Sequence, residues 1–195
     1  MEVLRGNCCP GSRKDLFSEL DDMRTQTGFS LIELLIVVAI ILIIAAIAIP
    51  NLMHAKMSAN ESSAAAGLHV LQTAELTYNN SYPGIGYATG IAELGGATPC
   101  TPAAATACII DNSLATATAG GGGKSGYYFQ ATGSPTGGAT FNTIYIVAAS
   151  PVTVNSTGKR DFCSTNDIIL RAQLATAGDL PVTTEAGCLV YAAAP

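Results

Sequence analysis

The sequence predicts an α+β protein in which one long N-terminal α-helix packs on a small antiparallel β-sheet of about four strands. Three observations lead to this prediction. An apolar run covers residues 29–49, and a mixed sequence with apolar residues at three- and four-residue steps follows it to about Tyr78. Segments rich in β-branched and aromatic residues, separated by turn signals, recur through residues 126–193. The first two features predict the helix, and the third predicts the sheet.

The apolar run FSLIELLIVVAIILIIAAIAI begins at Phe29 and contains one charged residue, Glu33. A helix of this length, at about 1.5 Å per residue, crosses a hydrocarbon core roughly 30 Å thick. Residues 29–50 are therefore predicted to span a membrane. A carboxylate in a membrane helix costs about 2.5 kcal/mol or more at the bilayer centre, and less near the interface. We therefore expect Glu33 to have a partner of opposite charge.

Residues 51–79 are predicted to continue the helix in amphipathic form. Pro50 lacks an amide donor, so we expect a kink or a loosened turn at residues 47–49. The positions expected to face the sheet are Ala64, Leu68, Leu71, Glu75 and Tyr78. The positions expected to face solvent or neighbouring subunits are Lys56, Glu61 and Gln72. Polar and turn-forming residues at 79–84 are expected to end the helix.

Residues 80–195 are predicted to form a globular domain. Its first part, residues 84–126, is rich in Gly, Ala, Thr and Pro and has little periodicity, so we expect a variable loop with subunit-specific surface. The sheet is expected within residues 126–193. The predicted strands are 126–132, 141–150, 161–173 and 188–193.

Four cysteines lie in this domain: Cys100, Cys108, Cys163 and Cys188. An even number of cysteines on the oxidising side of a membrane indicates disulfides, with three possible pairings. Proximity along the chain favours Cys100 with Cys108 and Cys163 with Cys188. Metal binding is the alternative, but neither a CxxC spacing nor a nearby histidine supports it.

Charge argues against one class of function. The whole chain has a formal net charge of −5, and beyond residue 28 it carries five Lys and Arg against nine Asp and Glu. These few cations form no basic stripe, so specific nucleic-acid binding is not predicted.

The run GFSLIELLIVVAIILIIAAIAIPNL, which begins at Gly28, resembles the N-terminal signature of type IV pilins and the related pseudopilins. The shared features are the junction between Gly28 and Phe29, the acid Glu33 five residues after the glycine, the unbroken aliphatic helix, and Pro50 at its end. The resemblance is strong over residues 24–80 and covers the rest of the chain in outline. It implies the pilin fold, and the Cys163–Cys188 pair resembles a disulfide that many pilins carry near the C-terminus.

The resemblance implies processing by a prepilin peptidase, which cuts after Gly28 and methylates the new amine of Phe29. Residues 1–28 would then be a leader peptide. Translation from Met23 would give the leader MRTQTG, whose length is ordinary for type IV pilins, and residues 1–22 would then be an upstream extension; otherwise they belong to a long leader variant. Glu33 would pair with the amine of its own chain or of a neighbouring copy, and in pilins the neighbour is thought to set the axial register of the filament.

The function implied is that of a structural subunit, held in the inner membrane by a single span and then assembled into a helical surface filament whose core is residues 29–50. The implied partners are copies of the chain itself, the prepilin peptidase, the membrane, an inner-membrane assembly platform and minor pilins. The alternative is a pseudopilin of a type II secretion system, which forms a periplasmic pseudopilus. Asp161, Asp167, Asp179 and Glu185 could supply calcium ligands, as in the major pseudopilins, but they form no recognisable calcium loop.

A membrane-anchored binding domain or enzyme is a third possibility. No nucleophile, base and orienting group lie at usable spacing in the sequence. The sequence therefore assigns no catalytic residue, no cofactor and no metal site.

Overall fold

The structure is a computed structural model, and it describes residues 28–194. Of the predicted leader, only Gly28 lies within the described residues. The chain forms two compact units, which meet between Ala46 and Ile47. The fold is α+β, as predicted.

Helix α1 runs from Leu31 to Ser81, and it contributes to both units. Helical structure continues through Pro50, and a kink there stays a prediction. The helix ends at Ser81, two residues beyond the predicted continuation over residues 51–79. In its last turn the Ser81 hydroxyl donates to the Thr77 carbonyl at 2.9 Å, and Pro83 follows two residues beyond the end.

One face of α1 in the second unit is buried, and it includes all five positions predicted to face the sheet. The buried residues of the helix are Met57, Ala64, Leu68, Leu71, Gln72, Ala74, Glu75 and Tyr78. Gln72 was predicted to point outward, and this prediction is wrong. Its amide donates to the Ser164 hydroxyl at 2.5 Å, so the sheet satisfies a polar side chain at the buried interface.

The sheet has five antiparallel strands in the order β1-β2-β3-β4-β5. The strands are β1 Tyr127–Ser134, β2 Ile144–Pro151, β3 Arg160–Thr165, β4 Arg171–Leu174 and β5 Ala192–Ala193. There is one strand more than expected because the predicted segment 161–173 folds as the hairpin of β3 and β4.

Short helices replace two parts of the predicted pattern. The segment 84–126 contains α2 (Ile91–Leu94) and α3 (Asn112–Ala115), and the segment 188–193 begins inside α4 (Glu185–Leu189) before it forms β5. The Thr184 hydroxyl accepts from the Gly187 amide at 3.2 Å and caps α4. The prediction that residues 188–193 form a strand is therefore wrong for its first half.

The main core lies between α1 and the sheet. Alternate residues of β1 point into it, among them Tyr127 and Phe129. A Cβ atom on Gly67 of α1 would lie 2.7 Å from Phe129 Cε1, so the phenyl ring packs directly on the helix backbone. This contact explains a glycine in mid-helix, where it lowers intrinsic helix stability. A smaller cluster comprises Ile146, Ala148, Cys163 and Cys188.

Candidate assembly surface

The first part of α1 exposes its apolar side chains. The helix contains an 18-residue window with mean hydropathy 3.3, and no residue of that window is buried. Phe29 is 75% exposed and Leu31 80% exposed. By length and composition, α1 is the one helix among the described residues that is long and apolar enough to cross a membrane. An exposed apolar surface of this extent indicates a lipid or protein partner.

The predicted processing and register residues lie together at the start of this surface. Gly28 and Phe29 precede the helix in exposed, non-helical chain, and Glu33 lies exposed in the first turn of α1. An acid in the first turn is favoured by the partial positive charge at a helix N-terminus. Within residues 28–194, Glu33 is in none of the three ion pairs. Its side chain is therefore available to a cation of another molecule.

In the second unit, by contrast, polar groups of the helix bind the domain. The carboxylate of Glu61 accepts from the Lys159 amide at 2.9 Å and from Arg160 Nε at 2.9 Å. Arg160 Nη2 lies 2.8 Å from Glu61 Oε2, and the Glu61 side chain is only 12% exposed. Asn60 Nδ2 donates to the Thr157 carbonyl at 2.8 Å. The prediction that Glu61 faces solvent or another subunit is therefore wrong, because the last residue of the loop between β2 and β3 and the first residue of β3 bind it.

The four cysteines form two disulfides. Cys100 bonds Cys108 and Cys163 bonds Cys188, with Cα atoms 6.1 and 5.8 Å apart, respectively. These are the pairs that proximity along the chain favours. The first closes a loop between α2 and α3, and the second ties β3 to α4. By chain-entropy estimates, each contributes roughly 2–4 kcal/mol to the stability of the domain.

The four acids considered as calcium ligands do not gather into one site. Among residues 28–194, no group of three or more His, Cys, Asp or Glu side chains could hold a metal ion. Asp167 pairs with Arg171, whose hydrogen bond holds the pKa of that carboxyl well below its usual range. Asp179 accepts from the Thr176 amide at 2.8 Å, and Asp161 is buried in β3.

Two buried carboxyl groups went unrecognised from the sequence as groups with chemistry of their own. Glu75 is 0% exposed and Asp161 is 2% exposed. Burial raises the pKa of Asp161, and burial raises the pKa of Glu75 to about 8. Helical spacing placed Glu75 on the buried face, but it gave the carboxyl no partner.

One comparison with known proteins concerns the exposed apolar helix directly. Residues 23–49 match the family model described as the prokaryotic N-terminal methylation motif. The chain carries that motif. The resemblance to type IV pilins and pseudopilins that the sequence indicates is thereby confirmed at the N-terminal signature.

Two relatives match over 63 residues, which are 31% of this chain. The chain is 49% identical there to the type IV wide pilus major component PilA4 of Thermus thermophilus, over 48% of that protein. It is 38% identical to the type II secretion system core protein G of Aeromonas hydrophila, over 44% of that protein. The chain thus spans about half the length of the curated relatives it matches. No solved structure matches it significantly.

Proposed function

We propose that this chain is a structural subunit of a type IV pilus. The observation that carries the proposal is the exposed apolar part of α1, with Glu33 as its one charged side chain, inside a matched N-terminal methylation motif. In this proposal a prepilin peptidase cuts after Gly28 and methylates the amine of Phe29. The sequence similarity to a major pilus component, which extends over 63 residues, supports this function.

Assembly, with no catalysis by this chain, is the proposed mechanism. In the inner membrane, lipid tails cover the Ile, Leu, Val and Ala side chains of residues 29–50. During assembly, an inner-membrane platform and minor pilins guide the subunit out, and the same side chains of neighbouring copies replace the lipid. Because lipid is as apolar as leucine, close side-chain packing favours the helix contacts.

Glu33 is proposed to choose the register of these contacts. In the correct register its carboxylate lies opposite the Phe29 amine of a neighbouring subunit. In a shifted register both charges would be buried without a partner, at a cost of about 3–5 kcal/mol when one member of a buried pair is missing. An unpaired charge thus selects against wrong arrangements more strongly than apolar packing does.

The second candidate function is that of a pseudopilin in a type II secretion system. The likeness to core protein G in sequence favours it specifically. A pseudopilin shares the proposed processing and assembly steps but forms a short periplasmic fibre. The two functions separate in cells that lack the chain: loss of long extracellular fibres indicates the pilus, and loss of protein secretion without loss of fibres indicates the pseudopilus.

The register role is tested with Glu33→Ala in cells that assemble the protein. We expect the variant to be cut and methylated at Phe29, as seen by mass spectrometry, but to yield at least about a hundredfold fewer filaments by electron microscopy, since 3 kcal/mol corresponds to roughly that factor. Glu185→Ala is the matched control, because it removes an acid from the domain, and it should assemble normally. Normal filaments from Glu33→Ala would rule out the register role, and an uncut wild-type chain would rule out the processing step.

A further inference from the structure

A buried carboxyl group joins helix α1 to the chain segment that follows it. Glu75 is 0% exposed, and its Oε2 accepts a hydrogen bond from the Ala88 amide at 2.9 Å. Its second oxygen, Oε1, has no hydrogen-bond partner among the described residues. Ala88 is also 0% exposed, so the bond lies wholly inside the core.

Ala88 lies in the segment Tyr82–Leu94, called the clasp segment here. This segment connects helix α1, strand β1 and the loop before β2. The Ala88 amide binds Glu75 of α1, while the Ala88 carbonyl accepts from the Gly133 amide of β1 at 2.6 Å. The neighbouring Tyr87 exchanges two hydrogen bonds with Asn142, at 3.2 and 2.7 Å. The Glu75 bond therefore fixes the point at which the clasp segment passes between the helix and the sheet.

Among residues 28–194, the titratable groups that influence Glu75 include no cation. From α1 itself comes Tyr78, whose hydroxyl donates to the Ala104 carbonyl at 2.7 Å. From α2 comes the carboxyl of Glu93, and from β2 comes Tyr145, whose buried hydroxyl has no partner within residues 28–194. None of the three ion pairs among the described residues includes Glu75.

A buried carboxylate in these surroundings is unfavourable. One N–H donor does not replace the water that an ionised carboxylate loses on burial, and the nearby acid Glu93 adds repulsion. Burial is the largest cause that raises the pKa of Glu75 to about 8; the Ala88 bond opposes it and Glu93 adds to it. A neutral carboxylic acid can still accept from Ala88 through one oxygen while the other carries the proton.

We propose that Glu75 is a proton-dependent clasp: as a neutral acid it holds the clasp segment on α1 and the sheet, and its ionisation releases the segment. The proton passes to solvent, and the new carboxylate gains water only if the clasp segment moves off the helix. The segment can move because its glycines at positions 84, 86 and 90 give its backbone more conformational freedom than other residues would. Alkaline conditions would thus release the clasp segment from one face of the domain while the sheet stays folded.

The direction in which pH changes the stability of the clasp follows from the pKa of Glu75 in the unfolded and in the folded chain. The carboxyl has an ordinary pKa of 4.5 when the chain is unfolded and a pKa of about 8 when it is folded. The stabilising contribution of the neutral acid is therefore complete below pH 4.5 and is lost as the pH rises through about 8.

The test measures the hydrogen-exchange protection factor of the clasp segment in the processed, detergent-solubilised chain, at about pH 5 and about pH 9. The wild type should lose protection by about tenfold or more over this range, because the segment opens when Glu75 ionises. Glu75→Gln keeps the shape and the acceptor but cannot ionise, so its protection should change by less than about twofold. Glu61→Gln is the control acid on the same helix, and it should behave as the wild type does.

Infrared spectroscopy of the wild type gives a second readout that needs no change at Glu75. A protonated carboxyl band should be present at about pH 6 and vanish as the pH rises through about 8, and it should persist in Asp161→Asn, which removes the other buried acid. An equal loss of protection in wild type and Glu75→Gln would overturn the proposal. Absence of the band from Asp161→Asn at about pH 6 would overturn it as well.

Discussion

The two parts of helix α1 differ in what covers their apolar side chains. Between Leu31 and Ala46 the aliphatic side chains are exposed, and the sequence there offers no polar face. Between Met57 and Tyr78 one face is buried against the sheet and the loops, and the exposed residues are mostly polar or small, with Val70 and Leu76 as the larger apolar ones. One continuous helix thus carries two kinds of surface.

This difference shows which contacts folding of one chain can satisfy. In the second part, the main core and the Glu61 ion pair cover the helix within the molecule. In the first part, a comparable apolar surface is exposed, and water is a poor partner for it. We propose that its partners are lipid or other copies of the chain, and the proposed function therefore rests on this part.

The largest effect is expected from one leucine-to-alanine change made in each part. Leu71→Ala removes a fully buried side chain and should lower the free energy of unfolding of the domain by about 2–5 kcal/mol. Leu42→Ala removes a side chain that is 63% exposed, so it should leave unfolding within about 0.5 kcal/mol of the wild type. Urea unfolding in detergent, followed by tyrosine near-UV circular dichroism, measures both.

In an assembly assay, the two leucine changes should differ in the opposite direction. Leu42→Ala should reduce filament yield by electron microscopy, because its side chain lies on the proposed contact surface. Leu71→Ala should assemble in proportion to the fraction of domain that stays folded. Equal effects of the two changes on unfolding would contradict the division of the helix into two parts.

The second effect concerns the two disulfides of the domain on which the buried part of α1 packs. Cys163→Ser with Cys188→Ser opens a loop of 25 residues in sequence and unties α4 from β3, so we expect a loss of about 2–5 kcal/mol. Cys100→Ser with Cys108→Ser opens a separation of 8 residues and should cost roughly 1 kcal/mol less by loop entropy. Thermal unfolding of both double variants without reductant compares them. A larger loss from the Cys100 and Cys108 variant would contradict the loop-entropy ranking.

Residues whose surroundings follow from local pattern were predictable from the sequence. Composition alone predicts the exposed span. Helical spacing alone predicts the buried face of α1, and it placed Ala64, Leu68 and Tyr78 correctly. The β1–β2 hairpin and β3 also appear where β-rich segments alternate with turns. In each of these elements the residues that decide the structure are close together in the chain.

The surroundings of residues whose partners lie far away in the sequence were not predictable. Glu61 binds residues 98 and 99 positions away, and Gln72 binds one 92 positions away, so nothing near either side chain indicates burial. The partner of Glu75 is a backbone N–H group. Every residue except proline has one, so the sequence does not show which of them binds Glu75. Cys188 and Leu189 have strand-like composition, but the Thr184 cap and the Cys188 disulfide hold them in α4.

The smallest effect is expected from the ion pair that joins Glu61 of α1 to Arg160 at the start of β3. Glu61→Gln weakens contacts with the Lys159 amide and the Arg160 guanidinium, and because Glu61 is only 12% exposed, we expect a loss of about 1–2 kcal/mol. Lys124→Ala breaks the more exposed pair with Asp111, which involves no residue of α1, and should cost about 0.5 kcal/mol or less. Urea unfolding at low and high salt separates them, since the exposed pair is screened more strongly. A loss from Lys124→Ala that equals the loss from Glu61→Gln would mean that burial at the helix interface does not strengthen the Glu61 contacts.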